Sequence, residues 1–140
     1  MKKTVLRLII IAVAMTAFAS CRSNTVKIGV IIPETSGLGA SLKSGLKLAE
    51  DELNRESGTK YELVFSDAPS ESEVSKRYDR LRFVNKIRIF VTTGSKYSMK
   101  LKAYAVKNGD LLFCVASDPA ITAEGDWNVF KIGNSSVDES

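Results

Sequence analysis

The residues best equipped for chemistry lie in three turns, Gly37-Leu38-Gly39, Gly94-Ser95 and Ser117-Asp118-Pro119, each close behind an apolar run, together with the two cysteines Cys21 and Cys114. A glycine turn between a strand and a helix is a phosphate cradle in dinucleotide-binding folds. There, however, the glycines follow the strand almost at once and a third glycine packs the helix. Here Pro33-Glu34-Thr35-Ser36 intervenes and Leu42 stands at the third position, which opposes a nucleotide-binding enzyme. The chain holds no histidine, so Ser-His-Asp and Cys-His relays and imidazole metal ligation are absent from its 140 residues. Cys114 offers no zinc pattern, and no acid pair has a distinctive spacing. We therefore expect neither an enzyme, nor a metal site, nor a bound cofactor.

Cys21 belongs to a different chemistry. Lys2, Lys3 and Arg7 precede an uncharged apolar run over 8–19, the layout of a signal peptide. The run is shorter than the roughly 20 residues a membrane-spanning helix needs, and it ends in Ala19-Ser20 directly before Cys21. Phe18-Ala19-Ser20-Cys21 resembles the lipobox of bacterial lipoproteins, with Phe18 where leucine is preferred. That resemblance implies a signal peptide at 1–20, acylation of Cys21 and a lipidated tether over 21–25. The alternative is a secretory peptide followed by an unrelated cysteine.

The charge balance follows from the same segment. The chain carries 20 basic and 16 acidic residues, net +4. Three of the basic residues sit in the signal, which leaves a mature charge of about +1. No basic cluster with interleaved aromatics remains, so a nucleic-acid partner is not expected. With Cys21 acylated, Cys114 is left in an apolar strand as a small core residue.

The elements that must hold these turns are legible in the hydrophobic period. Residues 26–32 form a nearly continuous β-branched run, as in a strand covered on both faces. Residues 40–56 place Leu42, Leu46, Ala49 and Leu53 on one helical face and end at Ser57-Gly58. Residues 61–65 read as a second strand. Ser70-Glu71-Ser72-Glu73 reads as a capping box opening a helix that turns Val74, Tyr78 and Leu81 inward. A third strand over 87–91, a helix over 95–108 stopped by Gly109, a strand over 111–116 and a fifth over 129–132 complete the alternation. Strand and helix in turn imply an α/β fold with a doubly wound parallel sheet. Ligands of such sheets bind beyond the carboxyl ends of the strands, where 33–39, 92–95 and 117–122 fall.

These segments also carry a family resemblance. Val26-Lys27-Ile28-Gly29-Val30-Ile31-Ile32-Pro33, followed by Gly45-Leu46-Lys47-Leu48-Ala49-Glu50-Asp51-Glu52-Leu53-Asn54, is similar to the opening of type 1 periplasmic binding proteins of the branched-chain amino-acid class. So are Tyr61-Glu62-Leu63-Val64-Phe65-Ser66-Asp67, Ser117-Asp118-Pro119-Ala120-Ile121-Thr122 and Asn128-Val129-Phe130-Lys131-Ile132. The resemblance implies an extracytoplasmic solute-binding component of an ABC transporter, lipid-anchored in the cell envelope and delivering an amino acid or similar small solute to a permease. Residues 26–140 would form its first lobe, ending at the crossover to the second. Ser95 and Ser117 would contact the ligand through their hydroxyls, the Val115 carbonyl would meet its ammonium, and Leu38 would form a wall of the side-chain pocket.

The family's turn after the third strand reads here as Thr92-Thr93-Gly94-Ser95-Lys96, with Lys96 in place of glycine, and Phe113-Cys114-Val115-Ala116-Ser117 lacks one hydroxyl. An amide or another carboxylate would suit the site as well as an α-amino acid. Taken without the resemblance, Ser95 is an ordinary helix N-cap, Ser117 a turn residue, Asp67 a solvated loop acid and Lys96 a surface charge. Fold does not fix function, and a lipoprotein using this fold for sensing or for regulating a cell-wall enzyme is the alternative reading.

Overall fold

The structure, a computed structural model, describes residues 25–133. The expected signal peptide at 1–20, Cys21 and all of the tether except Thr25 lie outside the described residues, as does 134–140.

Among the described residues five strands form one sheet: β1 (Thr25–Ile32), β2 (Lys60–Asp67), β3 (Ile89–Thr93), β4 (Leu111–Val115) and β5 (Val129–Ile132). Their order is β2-β1-β3-β4-β5 and every pairing is parallel. The expected doubly wound parallel sheet is therefore what the chain forms. Helix α1 (Gly37–Glu56) links β1 to β2, α2 (Val74–Asp79) links β2 to β3, and α3 (Ser95–Asn108) links β3 to β4. The first link runs toward one edge and the next two toward the other. Right-handed crossovers then put α1 on one face and α2 with α3 on the opposite one.

The α2/α3 face holds the core. Val74, Tyr78 and Leu81 are buried as their spacing predicts, against Phe90, Leu101, Ala105, Leu112, Cys114 and Val129. The Tyr78 and Phe90 rings lie 4.8 Å apart. The face under α1 is thinner. Leu42, Leu46 and Ala49 are only half-buried, Leu53 is exposed, and Gly39 alone in this helix is fully buried. Alternate residues of the far strands, Ile89, Leu111 and Phe113, are half-buried on that face, while Phe130 and Ile132 are exposed.

Four local expectations are corrected. Helix α1 begins at Gly37 rather than at residue 40, because Ser36 caps it: its Oγ accepts from the Gly39 N–H at 3.0 Å. The capping box at 70–73 does not form. Ser70 Oγ pairs with Ser72 Oγ at 2.8 Å, the Glu73 N–H donates to the Ser70 carbonyl, and a single 3₁₀ turn (Glu71–Glu73) precedes α2. The third strand starts two residues later than 87–91. Helix α2 widens into a π-turn (Arg80–Val84), and the Ile87 N–H bonds back to the Leu81 carbonyl, so Ile87 is buried as a core residue before the strand begins. Strand β2 runs longer than 61–65 because it pairs in register along all of β1. Helix α3 matches its predicted span and stops at Gly109, which adopts the left-handed conformation that a C-terminal glycine supplies.

Candidate functional site at the strand carboxyl ends

Register puts the ends of the strands that carry the candidate residues at one end of the sheet. Ile31 pairs with Thr92, and Thr93 with Val115, so the chain leaves β1, β3 and β4 at nearly one level. Ser95 and Ser117 each stand two residues beyond Thr93 and Val115, which are paired on neighbouring strands about 4.8 Å apart. The turn after β1 leads toward one face and the turn after β3 toward the other. The crevice of the fold opens between them, with Leu38 on one side and Ser95 on the other.

The β1 turn is built on a close approach. The Ser36 N–H and Oγ both donate to the Pro33 carbonyl, at 3.0 and 2.9 Å. A Cβ added to Gly39 would lie 2.1 Å from that same oxygen. Gly39 thus has a packing reason of its own, with no phosphate to explain it. Leu38, in the first turn of α1, is 56% exposed and unsupported by a neighbouring wall. Asp67 at the end of β2 is exposed, yet its Oδ1 accepts from the Glu34 N–H at 3.0 Å, which ties the two turns together. Glu34 in turn pairs with Lys43.

The β3 turn is different, because Gly94 and not Ser95 is the N-cap of α3. Gly94 has φ 81°, ψ 141°, a conformation that side-chain-bearing residues rarely adopt, and it supplies no side-chain cap. The first-turn N–H groups of α3 are consequently left without the usual intrahelical or side-chain acceptor. Ser95 is half-buried at the first helical position, and Ser117 is exposed before Asp118. It is Asp118 that caps the following 3₁₀ turn (Pro119–Ile121), accepting from the Ala120 N–H at 2.9 Å. Neither serine is therefore occupied as a cap.

Val115 is occupied. Its carbonyl accepts from the Gly94 N–H at 3.0 Å and from Thr93 Oγ1 at 3.2 Å, which uses both lone pairs. An ammonium meeting this oxygen would have to displace the Thr93 hydroxyl. Thr92 Oγ1 donates to the Ile31 carbonyl at 2.7 Å and Tyr97 Oη to the Ala68 carbonyl at 2.9 Å. These supports went unread in the sequence. Only the unusual Thr92-Thr93 pair at a buried strand end could have signalled them. Burial, with Asp67 and Glu71 nearby, raises the Tyr97 phenol above its ordinary range, so it stays a neutral donor. Among the described residues no group of three or more His, Cys, Asp or Glu is placed to hold a metal ion. A concavity of about 340 Å³ lies on the outer side of α3, lined by Met99, Ala103 and Val106 with the Lys102–Glu124–Asp126 ion cluster, away from the crevice.

A doubly wound lobe with this strand order and with polar turns at one end has, in part, the fold of the first lobe of type 1 periplasmic binding proteins. Solved structures of that kind superpose on it. A leucine-binding protein, LivK, from Thermotoga maritima is 24% identical with a TM-score of 0.70, over 79% of this chain and 33% of that one. The substrate-binding protein LivJ of Streptococcus pneumoniae, in complex with isoleucine, is 24% identical with a TM-score of 0.69, over 79% and 34%. A solute-binding protein from Rhodopseudomonas palustris, in complex with 3,4-dihydroxybenzoic acid, is 19% identical with a TM-score of 0.67, over 80% and 32%. The chain spans about a third of the length of these structures. No family model and no curated protein matches it.

Proposed function

We propose that this lobe is one jaw of an extracytoplasmic solute-binding protein that passes a small carboxylate-bearing solute, an amino acid or a related acid, to an ABC permease. The observation that carries the reading is the uncapped start of α3 at Gly94, with Ser95 in its first turn and Ser117 two residues beyond the end of the neighbouring strand β4. Exposed N–H groups and the positive end of the helix dipole favour an anion there. Ligands in the similar structures, isoleucine, leucine and 3,4-dihydroxybenzoic acid, differ in side chain and share a carboxylate. Leu38 faces the crevice as an apolar wall, and Val115 joins the site only when its carbonyl exchanges the Thr93 hydroxyl for a ligand donor. Acylation of Cys21 would tether the lobe to the membrane.

The test is calorimetry on the full-length protein against a panel of amino acids and aromatic acids, compared with the corresponding amides or alcohols. Binding of acids with loss of affinity for the uncharged analogues supports the reading. Equal affinity for both would overturn it.

A further inference from the structure

The end of the sheet opposite the crevice has a composition of its own. All strands run parallel, so their first residues gather at one end, and Thr25 there pairs with Lys60. Gly29 pairs with Phe90 and Ile89 with Leu111, which sets β1 and β2 about three residues lower than their neighbours. The segment leading into β3, the last turn of α3 and the residue before Asn128 surround that projecting end. Three large apolar side chains are left in solvent on it: Phe83 at 51%, Val84 at 73% and Trp127 at 73% exposure. Lys60, Lys86 and Lys107 are exposed among them, and none of the three forms an ion pair among the described residues. The Arg82 guanidinium lies over the Phe83 ring at 4.8 Å. On the acid side, Asp110 is fully buried and paired with Arg82 and Arg88, Glu62 is paired with Lys27, Asp126 beside Trp127 is paired with Lys102, and Glu56 and Asp79 are exposed.

We infer that this end docks on an anionic lipid surface, with Trp127, Phe83 and Val84 entering the headgroup region and the lysines lying over the phosphates. Aromatic and aliphatic side chains interleaved with lysine match that interface in depth and in charge. Acylation of Cys21, part of the proposed function, would favour the same orientation. Four residue steps from Cys21 to Thr25 reach at most about 14 Å even when extended. A lipid at Cys21 therefore holds the Thr25 end of the sheet, and not the crevice, against the bilayer.

Trp127 is the one tryptophan of these 140 residues, and the difference in emission between the protein and its Trp127→Phe variant reports the contact whatever the rest of the protein contains. The full, processed protein is reconstituted on phosphatidylcholine vesicles and on vesicles with one quarter phosphatidylglycerol, each with brominated acyl chains. Flotation measures anchoring, and Trp127 emission measures docking. The expected result is flotation on both, with emission shifted to the blue and quenched by the brominated lipid on the phosphatidylglycerol vesicles. Lys60→Glu, Lys86→Glu and Lys107→Glu together should abolish the quenching and leave flotation intact, since each lysine near such a surface shifts partition about fivefold. Lys76→Glu with Lys100→Glu, away from this end, should change neither. Val84→Asp tests the apolar part if the triple variant folds poorly.

Protein that floats while Trp127 stays open to aqueous iodide and unquenched by lipid would overturn the docking and spare the anchor. Flotation only on the anionic vesicles would sink the anchor and keep the docking surface. Flotation on neither would sink both.

Discussion

The Thr93 hydroxyl donates to the Val115 carbonyl at 3.2 Å, across the two strands whose ends carry the candidate ligand serines. The bond fixes the spacing of the two turns before any ligand arrives. It also sets the order of importance at the site, because Ser95 and Ser117 can bond a ligand at no internal cost, whereas Val115 cannot.

Alanine at Ser95 or Ser117 in the full-length protein should weaken solute binding by about 1.5–3 kcal/mol each, the worth of a hydrogen bond to a charged group. Isothermal calorimetry checks this. Unchanged affinity in both variants would remove these serines from the site. Thr93→Val should have a smaller effect on affinity and a larger one on stability, since its bond is internal.

Gly39→Ala should destabilise the lobe by roughly 1–3 kcal/mol, the usual cost of forcing atoms into a filled space. The new Cβ would meet backbone, which cannot swing aside. Gly45→Ala in the same helix meets nothing within 4 Å and should stabilise by about 1 kcal/mol. Urea titration of the pair separates the two effects, and equal midpoints would show that the Pro33 turn yields.

How much of this was readable beforehand varied with the physics involved. The span of helix α3 is legible because its stop, Gly109, acts locally. The start of β3 is not, since Ile87 is as apolar as any strand residue and only the π-turn of α2 takes it out of the ladder. The site behaved likewise. Ser95 and Ser117 are candidates only through the family resemblance, and nothing local to Val115 announces that Gly94 and Thr93 hold its carbonyl.

Asp110 should be the least tolerant charged position. Its buried carboxylate accepts from Arg82 Nε at 2.6 Å and from Arg88 and Tyr78, and Asn128 Nδ2 donates to its backbone carbonyl at 2.7 Å. Burial and the adjacent Asp110 carboxylate raise the Tyr78 phenol, so it remains the neutral donor of this cluster. Asp110→Ala leaves Arg82 half-buried without its partner and should cost about 3–5 kcal/mol. Glu124→Gln, at an exposed bridge, should cost less than about 1 kcal/mol. Denaturant midpoints that fall together would contradict this ranking.

Cys114 should be inert in the folded lobe. Burial pushes its thiol up to about 11 from an ordinary value near 9, opposed in part by the Ser98 hydroxyl. The raised value means the folded state holds the proton more tightly. Its contribution to stability is full below pH 9 and is lost as pH rises toward 11, by roughly 2–3 kcal/mol in all. Thiol labelling at pH 8 should therefore follow global unfolding, and rapid labelling of native protein would refute the burial.

The last prediction concerns the sheet face shared with α1. Phe113 and Phe130 stack at 5.2 Å, yet Phe130 is 43% and Ile132 52% exposed, with Ile89 and Leu111 half-buried beside them. Helix α1 packs chiefly on β2, with a smaller contact on β3, and makes little contact with β4 and β5. A contiguous apolar face next to the edge strand β5 favours association between copies. The isolated 25–133 segment should accordingly sediment as a mixture of oligomers. Phe130→Lys with Ile132→Lys should restore a monomer with little loss of helix signal, because neither side chain belongs to the buried α2/α3 core. The same segment should show no thermal shift with leucine at millimolar concentration, since the crevice residues line one side of a ligand and leave the other in water, where polar contacts gain little. A monomeric wild-type segment whose unfolding midpoint rises by several degrees with leucine would show that this face and this crevice are already complete.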